Sequence, residues 1–505
     1  VTRMDRVWSF HVRFDFGASG TYISRNHLGG FLEMILPLGL AYALVSRFKP
    51  VTKIFLGYAA LVILAGIVIT VSRGTYVSTA VALLLFFGVL LFHRSYRLPA
   101  LVLLAVILVA GAYFLPRSFS VRLRLRPYLA TESVDPRGEE AKRSFLWDPE
   151  DSRVILWQSA VRVWQQNLWR GVGLAHYDAR FPPYRPLAMQ LHPYFAHNDY
   201  LQYLAEWGLV GAGLAGAALV LAAWGLRKTW PRVRGTPRDI GQPKSSNKFA
   251  FVLGAALGLA AIAVHSFVDF NTHIPANAIL AVSLLALLSS CLRFATDRHW
   301  VTLKWWGKTL GCVVMLAGAA YLGQQGWRNA AEYTWLQRAA RAKLFSPAQA
   351  DCLQQAFAVE PMNSETAYSI GEVYRMKSSE GGDDYQALAS QAMEWFDRSI
   401  KLNQWGAYRY LRYGWCLDWL GRFAESPKYF ERAAQLEPNS HYMMAHIGLH
   451  YIQAGDFAAA RPWLERSLRL EPKNNDIARS YLPIIRSRLL EAATTEFSAK
   501  LNAAP

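Results

Sequence analysis

TKIFLGYAALVILAGIVITV-SRG-TYVSTAVALLLFFGVLLF, residues 52–92, is two apolar runs parted by three residues. Each run has about the 20 residues an α-helix needs to cross a hydrocarbon core. Ser72-Arg73-Gly74 leaves room only for a turn, so the stretch predicts two consecutive membrane-spanning helices. Working outward, similar runs stand at 28–46, 99–115, 200–226, 249–270, 276–294 and 307–323, which gives eight expected spans. None has the form of a cleavable signal peptide. The chain opens at Val1 with a polar, aromatic stretch ahead of the first span, and further spans are expected upstream of this numbering.

The formal charge of +18 over 505 residues could suggest a nucleic-acid partner, but its placement argues for topology instead. Lys and Arg crowd the short loops 47–53, 93–98, 227–248 and 293–308, sixteen in all, against Arg73 alone in 72–74 and 271–275. Short loops rich in Lys and Arg stay cytoplasmic. The loop 116–197 and everything after about 324 are therefore expected on the other side, and no nucleic-acid partner is expected. Cys291 and Cys312 fall in spans. Cys352 and Cys416 fall in the exported half, where a disulfide or two separate thiols are both open, and no Cys/His pair has zinc-ligand spacing.

Beyond the spans a 34-residue period appears. Gly414 and Gly448, Gly421 and Gly455, Ala424 and Ala458, Phe396 and Phe430, and Pro438 and Pro472 are each 34 apart, the tetratricopeptide period. Repeats are read at about 404–437 and 438–471, with an earlier one near 361–403 carrying an insertion at 381–384. The expected architecture is all-α: a polytopic membrane bundle over 1–325 with a large extracytoplasmic loop at 116–197, a helical linker at 326–360, a tetratricopeptide-like solenoid at 361–490 and a tail at 491–505. Stacked helix pairs offer a concave surface, read either as a platform for a protein partner or an acceptor, or as a stabilising cap.

Candidate chemistry gathers at the outer ends of the spans. His197 closes the basic loop and opens a hydrophobic helix, so it can exchange a proton there; the plainer reading is a helix start capped by Asn198 or Asp199. Arg73, alone on the side poor in basic residues, offers forked donors to phosphate oxygens, or it snorkels. A helix is expected from about Asp151-Ser152, with Trp157 and Trp164 in its apolar stripe and Arg153 in its first turn, where free N–H groups favour anions. Glu206 reads as a structural acid two to three turns inside its span. His265 and Asp269, four apart, read as a structural pair on one helix face. No metal site is expected.

Taken in order, Ser72-Arg73-Gly74, Gly20-Thr21-Tyr22-x3-Asn26, Arg153-x3-Trp157, Arg170-Gly171-Val172-Gly173, His197-Asn198-x-Tyr200-Leu201-Gln202 and Glu206-x-Gly208-Leu209-x-Gly211 resemble the O-antigen ligase and polymerase-related family, over about residues 17–295. The resemblance implies a metal-independent membrane glycosyltransferase of the bacterial inner membrane, without a cofactor. It would act on the periplasmic side on an undecaprenyl-diphosphate-linked glycan donor. It also implies that Arg73 and Arg153 bind the diphosphate and that His197 is the catalytic base. Arg170, Asn198, Glu206, His265 and Asp269 are expected in support. The acceptor is left open between lipid A core, another glycan and a protein hydroxyl. Two other classes compete: a transporter or flippase of lipid-linked glycans, and a non-catalytic scaffold for envelope assembly.

Overall fold

The computed structural model describes residues 6–7, 10–11, 18–114, 117, 152–187, 189–190, 193–234, 246–291 and 302–502. Arg122, Arg124, Arg126 and Asp151 of the long loop lie outside the described residues. Among the described residues the chain is all-helical apart from a two-residue ladder pairing Arg6–Val7 with Phe10–His11, and it divides into two compact units. The first holds residues 1–177 and 194–301; the second holds 178–193 and 302–505.

In the first unit, helices α1 (Arg25–Val45), α2 (Pro50–Thr70), α3 (Arg73–Leu91) and α4 (Arg97–Phe114) follow one another. Next come α5 (Ser152–Gln166), α6 (Asp199–Arg234), α7 (Asn247–His265) and α8 (Pro275–Cys291). Six of these, all but α5 and α8, are long and apolar enough to cross a membrane by length and composition, and α8 is a shorter apolar helix of 17 residues. The protein is thus a multi-pass membrane protein. The eighth expected span, 307–323, is the first half of a 37-residue helix, α9 (Trp305–Arg341), which belongs to the second unit.

Burial sorts the spans. The apolar windows of α1 and α7 are 50% and 61% buried, whereas α4 is 6% buried and shows Leu101, Leu108 and Val109 outward. In lipid there is no hydrophobic drive between apolar helices, so close backbone approach does the packing. Gly258 of α7 lies against the backbone of Met34, Gly254 against Leu38, and Gly29 of α1 against Thr75 of α3, each too near for a Cβ. Met34, Leu40, Phe86, Phe249 and Leu253 fill the centre.

In the second unit, α9 and α10 (Pro347–Val359) pack together, followed by α11 (Ser364–Ser378), α12 (Tyr385–Leu402), α13 (Ala407–Trp419), α14 (Pro427–Leu436), α15 (His441–Gln453), α16 (Phe457–Leu470) and α17 (Asp476–Asn502). The 34-residue period has a packing cause. Gly371, Gly414 and Gly448 each sit beneath a bulky side chain of the next helix, Phe396, Phe430 and Leu464, where a Cβ would stand 2.7–2.8 Å from the side chain. Residues 178–193 belong to this unit. Arg185, buried, pairs with the buried Glu437 at 3.4 Å, and Gln190 bonds Asn439 O at 3.1 Å and His441 N at 3.1 Å. Arg180 lies 3.7 Å above the Trp405 ring. Cys352 and Cys416 are both free thiols.

Candidate functional site

The candidate site of the first unit forms where α1 and α3 begin, α7 ends and the long loop returns to the bundle. Asn198 is the cap that opens α6: its Oδ1 accepts from Leu201 N at 3.0 Å. Asp199, the other cap candidate, instead accepts from Thr272 N at 3.0 Å and pairs with His273 Nδ1 at 2.6 Å. Gln202 bonds Ala196 N at 3.0 Å. These bonds fix the backbone on both sides of His197, which adopts the left-handed conformation with φ +51°. That region is disfavoured for residues bearing a Cβ. The His197 carbonyl accepts from Trp157 Nε1 at 3.1 Å, which ties it to α5.

The His197 ring is one-third exposed, and its Nδ1 lies 3.3 Å from Oδ1 of Asp269. Asp269 is buried. Asn26 Nδ2 donates to its Oδ2 at 2.6 Å, Phe270 N donates to its Oδ1 at 2.9 Å, and Arg153 Nη2 stands 3.8 Å from Oδ2. Burial alone would raise the Asp269 carboxyl. The His197 hydrogen bond and the Arg153 charge outweigh it and hold the group well below the ordinary carboxylate range. The edge of Phe270 meets the imidazole at 4.8 Å between centroids. The result is a one-third exposed imidazole with one nitrogen held by an ionised carboxylate that a guanidinium also approaches.

The expected His265–Asp269 pair does not form. Helix α7 ends at His265 and the chain turns over 266–268, so the helical i, i+4 relation does not reach 269. His265 instead turns its Nδ1 to Oε1 of Glu33 at 3.0 Å, and Ser78 donates to the other oxygen of Glu33. This buried group joins α1, α3 and α7. Arg73 is the first residue of α3, after the Ser72 cap, and its neighbour Gly74 lies so close to His265 that a Cβ would stand 2.6 Å from Nε2. The structure therefore brings His197, Asp269 and Arg153 together and seats the start of α3, with Arg73, on the His265–Glu33 pair.

Glu206 also corrects its expected setting. α6 breaks at Gly208, with φ 62° and ψ −170°, so Glu206 lies in the short piece before the long apolar run rather than inside it. Its carboxylate accepts from Ala175 N and Gln202 Nε2, both at 3.1 Å. Gly173 N and Val172 N bond the carbonyls of Glu206 and Ala205 at 3.0 and 2.8 Å, while Leu209 N and Val210 N bond those of Leu168 and Trp169 at 2.9 and 3.1 Å. Gly171 and Gly208 face each other so closely that neither backbone leaves room for a Cβ. The two glycine motifs are therefore one interlock. Arg170 is exposed in the turn ahead of it.

Glu33 is the functional-region residue that the sequence reading missed. An acid inside an apolar span is itself the signal, because such groups face the protein interior with a partner. Asn26 stood in a quoted motif without a role, and the structure gives it the Asp269 carboxylate.

Residues 58–216 match the family described as O-antigen ligase. Residues 441–474 match the tetratricopeptide repeat. No curated protein matches. Among solved structures, the crystal structure of the yeast Tom70 matches at 13% identity over 90% of this chain and 95% of that chain, with a TM-score of 0.24, too low to identify a common fold.

Proposed function

We propose that the protein transfers a glycan from an undecaprenyl-diphosphate-linked donor to an acceptor hydroxyl at the extracytoplasmic face of the bacterial inner membrane. The O-antigen ligase match over 58–216 supports ligase- or polymerase-type glycan transfer in general. The observation that carries the specific scheme is the His197–Asp269–Arg153 cluster inside and beside that segment. Asp269 accepts from Nδ1–H of His197, which leaves Nε2 to take the acceptor proton as a general base. The acceptor oxygen then bonds to the anomeric carbon while the bond from that carbon to the diphosphate oxygen breaks. The proton resides on His197, and Asp269 stabilises the imidazolium so formed, as a carboxylate partner does in other acid–base pairs. The electron pair leaves with the lipid diphosphate. Arg153 and Arg73 meet its charge with fixed donors. Every step of the scheme uses side chains alone.

The test is transfer in membranes supplied with lipid-linked glycan. His197→Ala should lower the rate on the order of 10²–10⁴-fold, and Asp269→Asn should lose most of the same factor while donor binding persists. Arg73→Lys and Arg153→Lys should both impair turnover, since charge remains but the fork is lost. Near-normal transfer by His197→Ala would overturn the catalytic assignment. Glycan analysis of a deletion strain names the acceptor: loss of capped lipid core, of polymer or of glycoprotein.

A further inference from the structure

The second unit has a cavity of about 530 Å³ on the face formed by α11, α13 and α15, the first helices of successive repeats. That volume is in the range of small-ligand pockets. Two indoles wall it. Trp419 is 49% exposed, and its ring edge is pinned by the Nε1 bond to Ser378 Oγ at 3.1 Å, so a ring face stays open. Trp415 is covered by the Arg412 guanidinium at 4.2 Å and approached by Arg375 at 5.4 Å. Both arginines share one carboxylate, Glu372, at 2.8 Å from Arg375 and 3.2 Å from Arg412. The other acid at the wall, Asp418, is buried and occupied by His450 at 2.9 Å.

His446 completes the wall. Its ring meets Trp415 at 4.3 Å and Tyr442 at 4.2 Å, edge to face. Among the described residues its ring nitrogens have no hydrogen-bond partner. Burial, with the charges of Arg412 and Arg375 behind it, pushes its pKa down to about 3, so it is a neutral hydrogen-bonding ring at working pH. An open indole face, a neutral imidazole with open nitrogens and a guanidinium share this lining.

We propose that this cavity binds a short saccharide that carries carboxylate groups. The C–H face of a pyranose would lie on the Trp419 indole, its hydroxyls would reach His446 and Gln453, and a carboxylate would meet the guanidinium of Arg375 at Nη1, since Glu372 holds Nε and Nη2. The proposal rests on the glycan-transfer reading for why a saccharide would be present, and it gives the repeats a task beyond stabilisation: holding the chain that is being extended or delivered.

The test uses the full chain in detergent, carrying His197→Ala so that binding is read without turnover; failed transfer and failed binding are thereby separate results. Calorimetric titration compares a tetramer of galacturonic acid, maltotetraose and an acidic decapeptide. The acidic tetramer should bind best. Trp419→Ala should weaken it roughly tenfold, while Trp419→Phe, which keeps the ring face, should stay within roughly threefold of the parent. Arg375→Gln should erase the preference over maltotetraose. Absence of saccharide binding at millimolar concentration overturns the proposal, as does unchanged affinity in Trp419→Ala. Tight binding of the decapeptide that the tetramer fails to displace also overturns it, and assigns the surface to a protein partner.

Discussion

His197 holds a conformation that costs a residue with a Cβ about 1–2 kcal/mol, and the surrounding bonds supply what keeps it there. One of these is the Trp157 Nε1 bond to its carbonyl. Trp157→Phe keeps the ring and removes the donor. It should lower kcat roughly two- to tenfold, the kinetic equivalent of ~0.5–1.5 kcal/mol, with KM for the donor unmoved. A rise in KM with kcat intact would show that Trp157 acts on binding and does not position the imidazole. The sequence made His197 and Arg153 readable because a titratable ring and a basic first turn stand out where a basic loop meets apolar runs. Asp269 was readable as an acid near them but not as the partner of His197. That pairing spans 72 positions and depends on where α7 stops, and spacing along one helix cannot report it. Glu33 was readable in principle, since an acid among Leu, Met and Ile needs a partner, but its pairing with His265 depends on how α1 and α7 pack.

At the scale of elements, composition located the spans, because a run of about 20 apolar residues has few alternatives. It could not show the break at Gly208. The apolar pattern continues across that position, and only the backbone pairing of 205–210 with 168–173 reveals it. Gly208 occupies φ 62°, ψ −170°, a region nearly exclusive to glycine. Gly208→Ala should therefore cost at least ~1–3 kcal/mol in strain, and the clash with Trp169 adds to it. Gly213→Ala, on the same helix with nothing within 4 Å, should be nearly silent. Thermal unfolding in detergent distinguishes the two. In the repeat unit, His446 makes a pH prediction with a definite sign. Its folded pKa of about 3 lies below its ordinary 6.5, so the stability it contributes is fully present above pH 6.5 and is lost as pH falls toward 3. His446→Gln should flatten the acid side of the stability curve between about pH 6 and 4, and an unchanged curve would place the sensitivity elsewhere.

At the scale of the molecule, the charge asymmetry of the short loops fixes an expected orientation, and a reporter fused after Leu490 should be active only outside the cytoplasm. The loop sequence could not show that residues 178–193 leave the first unit and pack with the repeats. The contact joins positions 252 apart, and no local pattern encodes it. Its centre is the Arg185–Glu437 pair, with side chains only 4% and 5% exposed. Breaking a buried pair from one side leaves an uncompensated charge and costs about 3–5 kcal/mol. Burial already pushes the Glu437 carboxyl upward, and the Arg185 charge opposes it. Arg185→Ala should thus make α14 and α15 amides of the full chain exchange on the order of 10²–10³-fold faster near pH 8, if opening of the repeats governs exchange there. Without Arg185, Glu437 can escape its penalty by binding a proton. Its raised carboxyl makes the variant's deficit shrink as pH falls, because a carboxyl raised in the folded state favours folding on the acid side. Arg185→Met with Glu437→Leu, which replaces both charges, should restore most of the protection at pH 8. Equal exchange in the parent and Arg185→Ala would mean that the pair does not hold the repeats closed, and that contacts such as Arg180 on Trp405 and Gln190 on Asn439 and His441 carry residues 178–193.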